Sequence, residues 1–107
     1  LLVKERPSAA LKMLRKAYAI SPNPKYGYTL AYYERHAGNA GEAARILRQV
    51  IATKPATADP YLLLGEIYMT DGKRMEAARV YEEAADNENL GGRDRSVLAR
   101  KSALMKR

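Results

Sequence analysis

The side chains that could perform chemistry in this sequence are few, and their spacing is not that of a catalytic site. His36 is the single histidine and cysteine is absent, so the usual ligands of a zinc site are missing. Glu82 and Glu83 are adjacent on a predicted helix and therefore point apart. No serine has a plausible base partner. We therefore predict that the protein is not an enzyme and uses neither a cofactor nor a metal.

Two glycine-containing segments resemble ligand-binding loops. Residues 38–41 read GNAG, which has the GxxG spacing of some RNA-binding loops, and Gly72-Lys73 resembles the end of a phosphate-binding loop. A phosphate-binding loop also needs an upstream glycine and a preceding strand, which Gly72-Lys73 lacks. Both segments lie between helical patterns, so we interpret them as turns.

The composition is that of one folded domain. The 107 residues are 47% hydrophobic, which excludes a disordered polymer and allows a modest core. No apolar run approaches the roughly 18 residues of a membrane helix, so no transmembrane segment is predicted. Leu1 is neither an initiator methionine nor the start of a signal peptide, and we expect the chain to be a fragment of a longer protein. Its alanine and arginine content suggests a bacterial source, with periplasm and cytoplasm both open.

The positive charge is concentrated near the C-terminus of the sequence. Residues 1–92 carry 13 basic and 11 acidic side chains, a net charge of +2. Residues 93–107 carry six basic and one acidic side chain, a net charge of +5. The basic character is therefore assigned mainly to the tail.

The sequence repeats with a period of 34 residues. EAARIL at 42–47 aligns with EAARVY at 76–81, and the same offset places Gly38 on Gly72. We predict one repeat domain over 1–107: a truncated first repeat at 1–23, full repeats at 24–57 and 58–91, and a capping or next-repeat helix at 92–107.

Each full repeat contains two helical patterns, so the predicted fold is all-α. The predicted helices cover residues 1–5, 8–20, 24–37, 42–53, 59–71, 74–86 and 93–106. Asp59 is predicted to cap the fifth of these, and Gly72 to end it in the left-handed conformation. The apolar stripes of the last two helices are predicted at Met75, Ala78, Tyr81 and Ala85, and at Val97, Leu98, Leu104 and Met105.

The third repeat contains Tyr61-x2-Leu64-Gly65-x2-Tyr68, followed by Ala77-x3-Tyr81 and Ala84. This pattern resembles the tetratricopeptide repeat, with tyrosine in the Trp and Phe places. The resemblance implies an α-solenoid of helix-turn-helix repeats, wound as a right-handed superhelix whose first helices line a concave groove. The alternative is a pair of generic amphipathic hairpins. In the second repeat, Gly27 and Glu34 occupy places where large apolar residues are usual, which suggests a rotated helix or tyrosines packed between repeats.

The resemblance implies a non-catalytic scaffold that binds a peptide segment or a helix of another protein. Bacterial proteins similar to this one often serve in envelope assembly, secretion or exopolysaccharide export. The chaperone-clamping subclass is not expected, because Thr29, Asp59 and Leu63 occupy three of its required Lys, Asn and Arg places. The implied groove residues are Lys25, Tyr28, Tyr32, Arg35, His36, Leu62, Glu66, Met69, Arg93 and Arg100, with Asp59, Leu63 and Ser96 beside them.

Other functions remain open from the sequence. Arg93, Arg100 and Arg107 are seven residues apart, so the C-terminal helix could bind an anion or nucleic acid, although the small basic footprint makes nucleic acid unlikely. Binding of a polysaccharide through the tyrosines is a third hypothesis. Alternatively, the tyrosines pack between repeats, and the arginine stripe is the solvated face of a capping helix. The apolar stripe of the last helix could also mediate a homodimer.

The close helix crossing expected at Gly65 and Ala77 gives a first testable prediction. Ala77→Leu should overpack this crossing and lower the free energy of unfolding by about 1–3 kcal/mol. A thermal melt compared with the parent chain measures the effect. An unchanged melting temperature would argue against the pairing.

Overall fold

A computed structural model describes residues 2–107 of the chain, with side chains described from Ala9 onward. Within these residues the chain forms six α-helices and no strand, which confirms the all-α prediction. They are α1 (Leu2–Ile20), α2 (Pro24–His36), α3 (Ala40–Ala52), α4 (Asp59–Thr70), α5 (Arg74–Ala85) and α6 (Gly92–Met105). The chain divides into two compact units, Leu1–Val50 and Ile51–Arg107. None of the described helices is long and apolar enough to cross a membrane.

The first unit contains α1, α2 and most of α3. Leu11 of α1, Leu30 of α2 and Leu47 of α3 are buried. Asn23 begins α2 by accepting a hydrogen bond on its side-chain oxygen from the Tyr26 N–H at 2.9 Å, with Pro24 in the first turn. The helix α2 therefore begins at Pro24, as predicted, and each of the three helices contributes an apolar residue to the core.

The predicted break within α1 is wrong. The sequence suggested a short helix at 1–5 and a second at 8–20, whereas Leu2–Ile20 is one helix; Leu1 itself lies outside the described residues. Neither a glycine nor a turn motif separates the two segments. Pro7, which has no backbone N–H, is the sixth residue of this helix and does not end it.

The second unit contains α4, α5 and α6, with α5 packed against both other helices. Two predicted stripes need correction. On α5, Met75 is 53% exposed, and Val80 and Ala84 are buried alongside the predicted Ala78 and Tyr81. On α6, Leu98 is buried as predicted, but the second buried position is Ser102, whereas Val97 and Leu104 are exposed. The side of α6 that packs against α5 is therefore marked by Leu98 and Ser102, which lie one turn apart.

The same turn ends α2 and α4. Gly38 and Gly72 adopt the left-handed conformation, with φ of 90° and 74°. After α2, the Asn39 N–H donates to the Glu34 carbonyl at 2.8 Å and the Gly38 N–H to that of Arg35 at 3.0 Å. After α4, the two equivalent bonds join Lys73 to Tyr68 at 2.8 Å and Gly72 to Met69 at 3.1 Å. Both are Schellman motifs, 34 residues apart.

The starts of α3 and α4 differ slightly from the prediction. Ala40 and Gly41, expected in the turn, are already helical. Asp59 is not the N-cap of α4: the Ala58 carbonyl accepts the first helical hydrogen bond, from the Leu62 N–H at 3.0 Å. The Asp59 N–H donates instead to the Thr57 hydroxyl at 3.3 Å, which places Asp59 one residue inside the helix.

Gly65 marks a close approach between α4 and α5. A Cβ at this position would overlap the ring and hydroxyl of Tyr81, which is itself buried. Ala77, the predicted neighbour of Gly65, is also buried, but the nearest atoms belong to Tyr81. The glycine therefore makes room for a side chain, at the roughly 0.5–1 kcal/mol that glycine costs within a helix.

Gly65→Ala tests this close approach. We expect a loss of about 1–3 kcal/mol in the free energy of unfolding, because overlap with the buried Tyr81 ring outweighs the gain in helix propensity. Gly41→Ala is the matched control, since nothing lies within 4 Å of a Cβ there and the residue is also helical. Urea denaturation of both variants measures the difference. Equal effects of the two substitutions would contradict the assignment.

Candidate binding surface and its supporting polar contacts

The predicted binding residues of α2 lie on the side of the helix opposite its core. Gly27, Leu30, Ala31 and Glu34 form the buried side. Helical spacing places Lys25, Tyr32 and His36 opposite this side, and all three are exposed. Tyr28 and Arg35 are half-buried on one flank, and Tyr26 and Tyr33 are exposed on the other. We call these seven residues the α2 outer face.

Aromatic rings form a cluster at the end of this face. The rings of Tyr32 and His36 have centroids 4.4 Å apart and an interplanar angle of 36°. Tyr33 meets Tyr32 edge-on, with centroids 5.7 Å apart. The His36 Nδ1 N–H donates to the Tyr32 carbonyl at 2.9 Å, which fixes the imidazole. These contacts lie within one helix, so the cluster is preorganised for binding a ligand.

The buried side of α2 contains a charged residue, Glu34, whose side chain is 1% exposed. Arg15 of α1 donates two hydrogen bonds to its carboxylate, from Nε to Oε2 at 2.9 Å and from Nη2 to Oε1 at 3.0 Å. The Asn39 amide donates to Oε1 at 2.9 Å. The hydrogen bonds from Arg15 outweigh the cost of burial and hold the pKa of Glu34 below its usual value. Glu34 is therefore a buried, fully paired carboxylate.

This ion pair explains an anomaly that the sequence showed but did not resolve. Glu34 occupies a place where a large apolar residue is usual, and the spacing suggested only a rotated helix or packed tyrosines. Its partner Arg15 lies 19 residues earlier, on another helix. An acidic residue on an apolar stripe was the available signal, but the identity of its partner required the tertiary structure.

The predicted binding residues of α4 and α6 lie in the second unit. On α4, Leu62 is half-buried, and Glu66 and Met69 are exposed, whereas Leu63 is buried, which corrects its predicted position in a groove. Helical spacing places Leu62, Glu66 and Met69 on one side of α4. On α6, Arg93, Ser96 and Arg100 are exposed. Asp59, at the start of α4, is also exposed.

A neutral polar cluster that the sequence did not reveal supports the start of α4. The side-chain amide of buried Asn87 donates to the Pro55 carbonyl and to the Tyr61 hydroxyl, both at 2.8 Å. The Asn89 amide donates to the Lys54 carbonyl at 2.8 Å. Burial raises the pKa of Tyr61, so its hydroxyl stays protonated. The segment after α5 is thereby tied to the segment before α4.

Arginines on α5 and α6 cap each other's helix. Arg74, the first residue of α5, donates to the carbonyls of Met105 at 2.8 Å and Leu104 at 3.1 Å, at the end of α6. Arg95, in the first turn of α6, donates from Nε to the Ala85 carbonyl at 2.8 Å, at the end of α5. Each guanidinium donates hydrogen bonds to carbonyls that have no intrahelical partner at the helix end. Its positive charge also interacts favourably with the negative end of the helix dipole.

Lys101 of α6 and Lys106, the residue that follows α6, also contact α5. Lys101 lies 5.9 Å from the centroid of the Tyr81 ring, a cation–π distance. Lys106 forms an ion pair with Glu82, and the Ser102 hydroxyl donates to the same carboxylate at 3.3 Å. Together with Arg95, three of the six basic side chains in 93–107 are therefore engaged within the second unit.

No group of three His, Asp or Glu side chains that could hold a metal ion occurs among the residues that the structure describes. Comparison with protein-family models and with curated proteins finds no match for this chain.

The Glu34 ion pair gives a prediction for pH dependence. Because the folded pKa of Glu34 lies below the usual value of 4.5, its stabilisation is present above pH 4.5 and is lost as the pH falls through the lowered pKa. Glu34→Gln should lower the free energy of unfolding by about 1–3 kcal/mol at neutral pH. The variant should also lose less stability on acidification than the parent. Urea titrations at neutral and acidic pH measure both effects.

Glu42→Gln is the control for this experiment. Glu42 pairs with Arg45 one turn away, but both side chains are more than 40% exposed, at 42% and 57%. A solvent-exposed pair of this kind contributes about 0–1 kcal/mol. Identical pH profiles for the parent and Glu34→Gln would show that the buried pair contributes no pH-dependent stability.

Proposed function

We propose that this chain is a non-catalytic protein–protein interaction module that binds a peptide segment or helix of a partner on the α2 outer face. The exposed Tyr32–His36 cluster is the observation that carries the proposal. Tyrosine supplies a large contact area with few rotatable bonds and is enriched among residues that dominate binding energy. Here it stands on a helix whose opposite side is fixed by core contacts.

We further propose that the hairpins α2–α3 and α4–α5 are tetratricopeptide-type repeats of an α-solenoid. The recurrence of the same Schellman motif after 34 residues supports this. Tyr61, Leu64 and Tyr81, three residues of the motif, are buried in the second unit together with Gly65. The right-handed superhelix and the repeat boundaries at 24, 58 and 92 stay predictions.

The α4 residues Leu62, Glu66 and Met69 are proposed to contribute to partner binding in the same way, as a mixed apolar and acidic surface. Methionine adapts to differently shaped partners, and Met69 is 36% exposed. A role in bacterial envelope assembly, secretion or exopolysaccharide export is the expected setting of such a scaffold.

Anion or nucleic-acid binding by α6 is the less favoured alternative. Arg95, Lys101 and Lys106 are engaged with α5, so Arg93, Arg100 and Arg107 remain as the proposed basic stripe. Each phosphate contact adds to the salt dependence of binding, and three contacts would give a weak complex. A homodimer through Val97 and Leu104, which are 44% and 43% exposed, stays a second proposal for this helix.

Peptide selection tests the proposed function. The chain is immobilised and used to select from a displayed library of random peptides, and the affinity of the selected peptides is measured. Tyr32→Ala should weaken binding by about tenfold if the ring is a dominant contact, and Arg35→Ala should weaken it less. Met75→Ala, which removes an exposed side chain of α5, is the control and should have no effect.

The same preparation is titrated with short duplex DNA at low and moderate ionic strength. The proposal expects no tight complex at moderate ionic strength. Tight DNA binding there, or a library that yields no binding peptide, would contradict a protein-binding role.

A further inference from the structure

The structural units reveal a charge distribution that differs from the one along the sequence. Residues 1–50 carry nine basic and three acidic side chains, a net charge of +6. Residues 51–107 carry ten basic and nine acidic side chains, a net charge of +1. The basic tail is balanced by the acidic α4–α5 hairpin of its own unit. The uncompensated positive charge therefore belongs to the unit that carries the α2 outer face.

The carboxylates in the described part of this unit are committed to internal contacts. From Ala9 to Val50 they are Glu34 and Glu42, paired with Arg15 and Arg45 respectively. The hydrogen bonds from these arginines lower the pKa of both carboxyls, so both are ionised and paired at neutral pH. Glu34 is also the single acidic residue of α2, and it lies on the buried side.

The α2 outer face consequently presents tyrosines and cations without an exposed carboxylate. Lys25 lies in the first turn and Arg35 in the last, ten residues apart, which corresponds to about 15 Å along the helix axis. The tyrosines and His36 occupy the length between and beside them. A ligand that matches this order needs negative charge at its two ends and apolar or aromatic groups between them.

We propose that the α2 outer face binds an extended acidic peptide segment. At roughly 3.3 Å per residue, an extended chain covers the distance from Lys25 to Arg35 in four or five residues. The segment therefore has carboxylates four or five residues apart, with apolar, proline or aromatic residues between them. This inference rests on the proposed function and adds the chemistry of the partner to it.

A peptide fits the face better than a uniform polyanion. Two cations on α2 are outnumbered by four tyrosines, so most of the available contact area is aromatic. A sulfated or carboxylated glycan carries a negative charge on successive sugar units. Most of these charges would lie against the tyrosine rings of the face, where no cation is present to pair with them. A peptide can alternate charged and apolar side chains, which satisfies both parts of the face.

Three fluorescently labelled probes test the proposal by anisotropy with the full chain. The first is a short peptide with an Asp-Asp pair and a Glu-Glu pair on either side of a Leu-Pro-Tyr core. The second has the same core with each carboxylate replaced by its amide, and the third is heparin. We expect the acidic peptide to bind at least about tenfold more tightly than the amide peptide, since several exposed ion pairs each contribute a factor of two to five.

Variants locate the binding to the face. Lys25→Ala should lower the affinity for the acidic peptide by roughly twofold to fivefold and leave the affinity for the amide peptide unchanged. Tyr32→Ala should lower the affinity for both peptides. Lys73→Ala, an exposed lysine of the second unit, is the matched control for charge and should change neither. Circular dichroism of each variant confirms that its helices are retained.

The outcomes separate this inference from the function on which it rests. Equal binding of the two peptides, with both weakened by Tyr32→Ala, would overturn the acidic preference and leave peptide binding intact. Acidic-peptide binding that Lys25→Ala and Lys73→Ala weaken equally would overturn the assignment to α2. Heparin binding without peptide binding would overturn both the inference and its choice of a protein ligand. Preferential binding of the acidic peptide that Lys25→Ala reduces would support the inference.

Discussion

The first unit depends on a buried charge that must be paired. Removing a carboxylate from water costs several kcal/mol unless hydrogen bonds and an opposite charge compensate. Glu34 is satisfied from two directions, by Arg15 of α1 and by Asn39 of the turn after α2. Rotating α2 about its axis would break these bonds and leave the charge buried and unpaired. The pair therefore fixes which side of α2 faces the core, and with it which residues form the outer face.

The second unit is held by different means. Its core contacts are apolar or neutral: Tyr81 fills the space that Gly65 leaves, and Asn87 joins the Tyr61 hydroxyl to the Pro55 carbonyl. Neutral hydrogen bonds inside the core contribute less individually than a charged pair, but they carry no large desolvation penalty. The two hairpins therefore share the same turn, but the polar contacts that support them involve different positions of the repeat.

The features that could be predicted from the sequence are local ones. Apolar spacing placed the helices, and Gly38 and Gly72 placed the turns, because both signals act within a few residues. The candidate binding residues on α2 came from the resemblance to the tetratricopeptide repeat, and three of them, Lys25, Tyr32 and His36, lie opposite the buried side of the helix. Predictions at helix starts were less accurate, since Thr57 and Ala58 take the roles expected of Asp59.

The features that could not be predicted depend on contacts between distant residues. Arg15 and Glu34 are separated by 19 residues, and Asn87 and Tyr61 by 26. Nothing in the spacing of α6 indicates that Ser102 would be buried and Val97 exposed, because that choice depends on the surface of α5. The charge balance of the first unit likewise became visible only when the boundary at residue 50 was known.

The exchange of arginine caps between α5 and α6 has a consequence for how the second unit opens. Arg74 sits at the start of one helix and completes the end of the other, and Arg95 does the same in return. Fraying at the start of one helix therefore removes the cap from the end of the other, so the start of α5 loses order with the end of α6, and the start of α6 with the end of α5. Amide hydrogens in the last turn of each helix should therefore exchange with solvent in step with opening at the start of its neighbour.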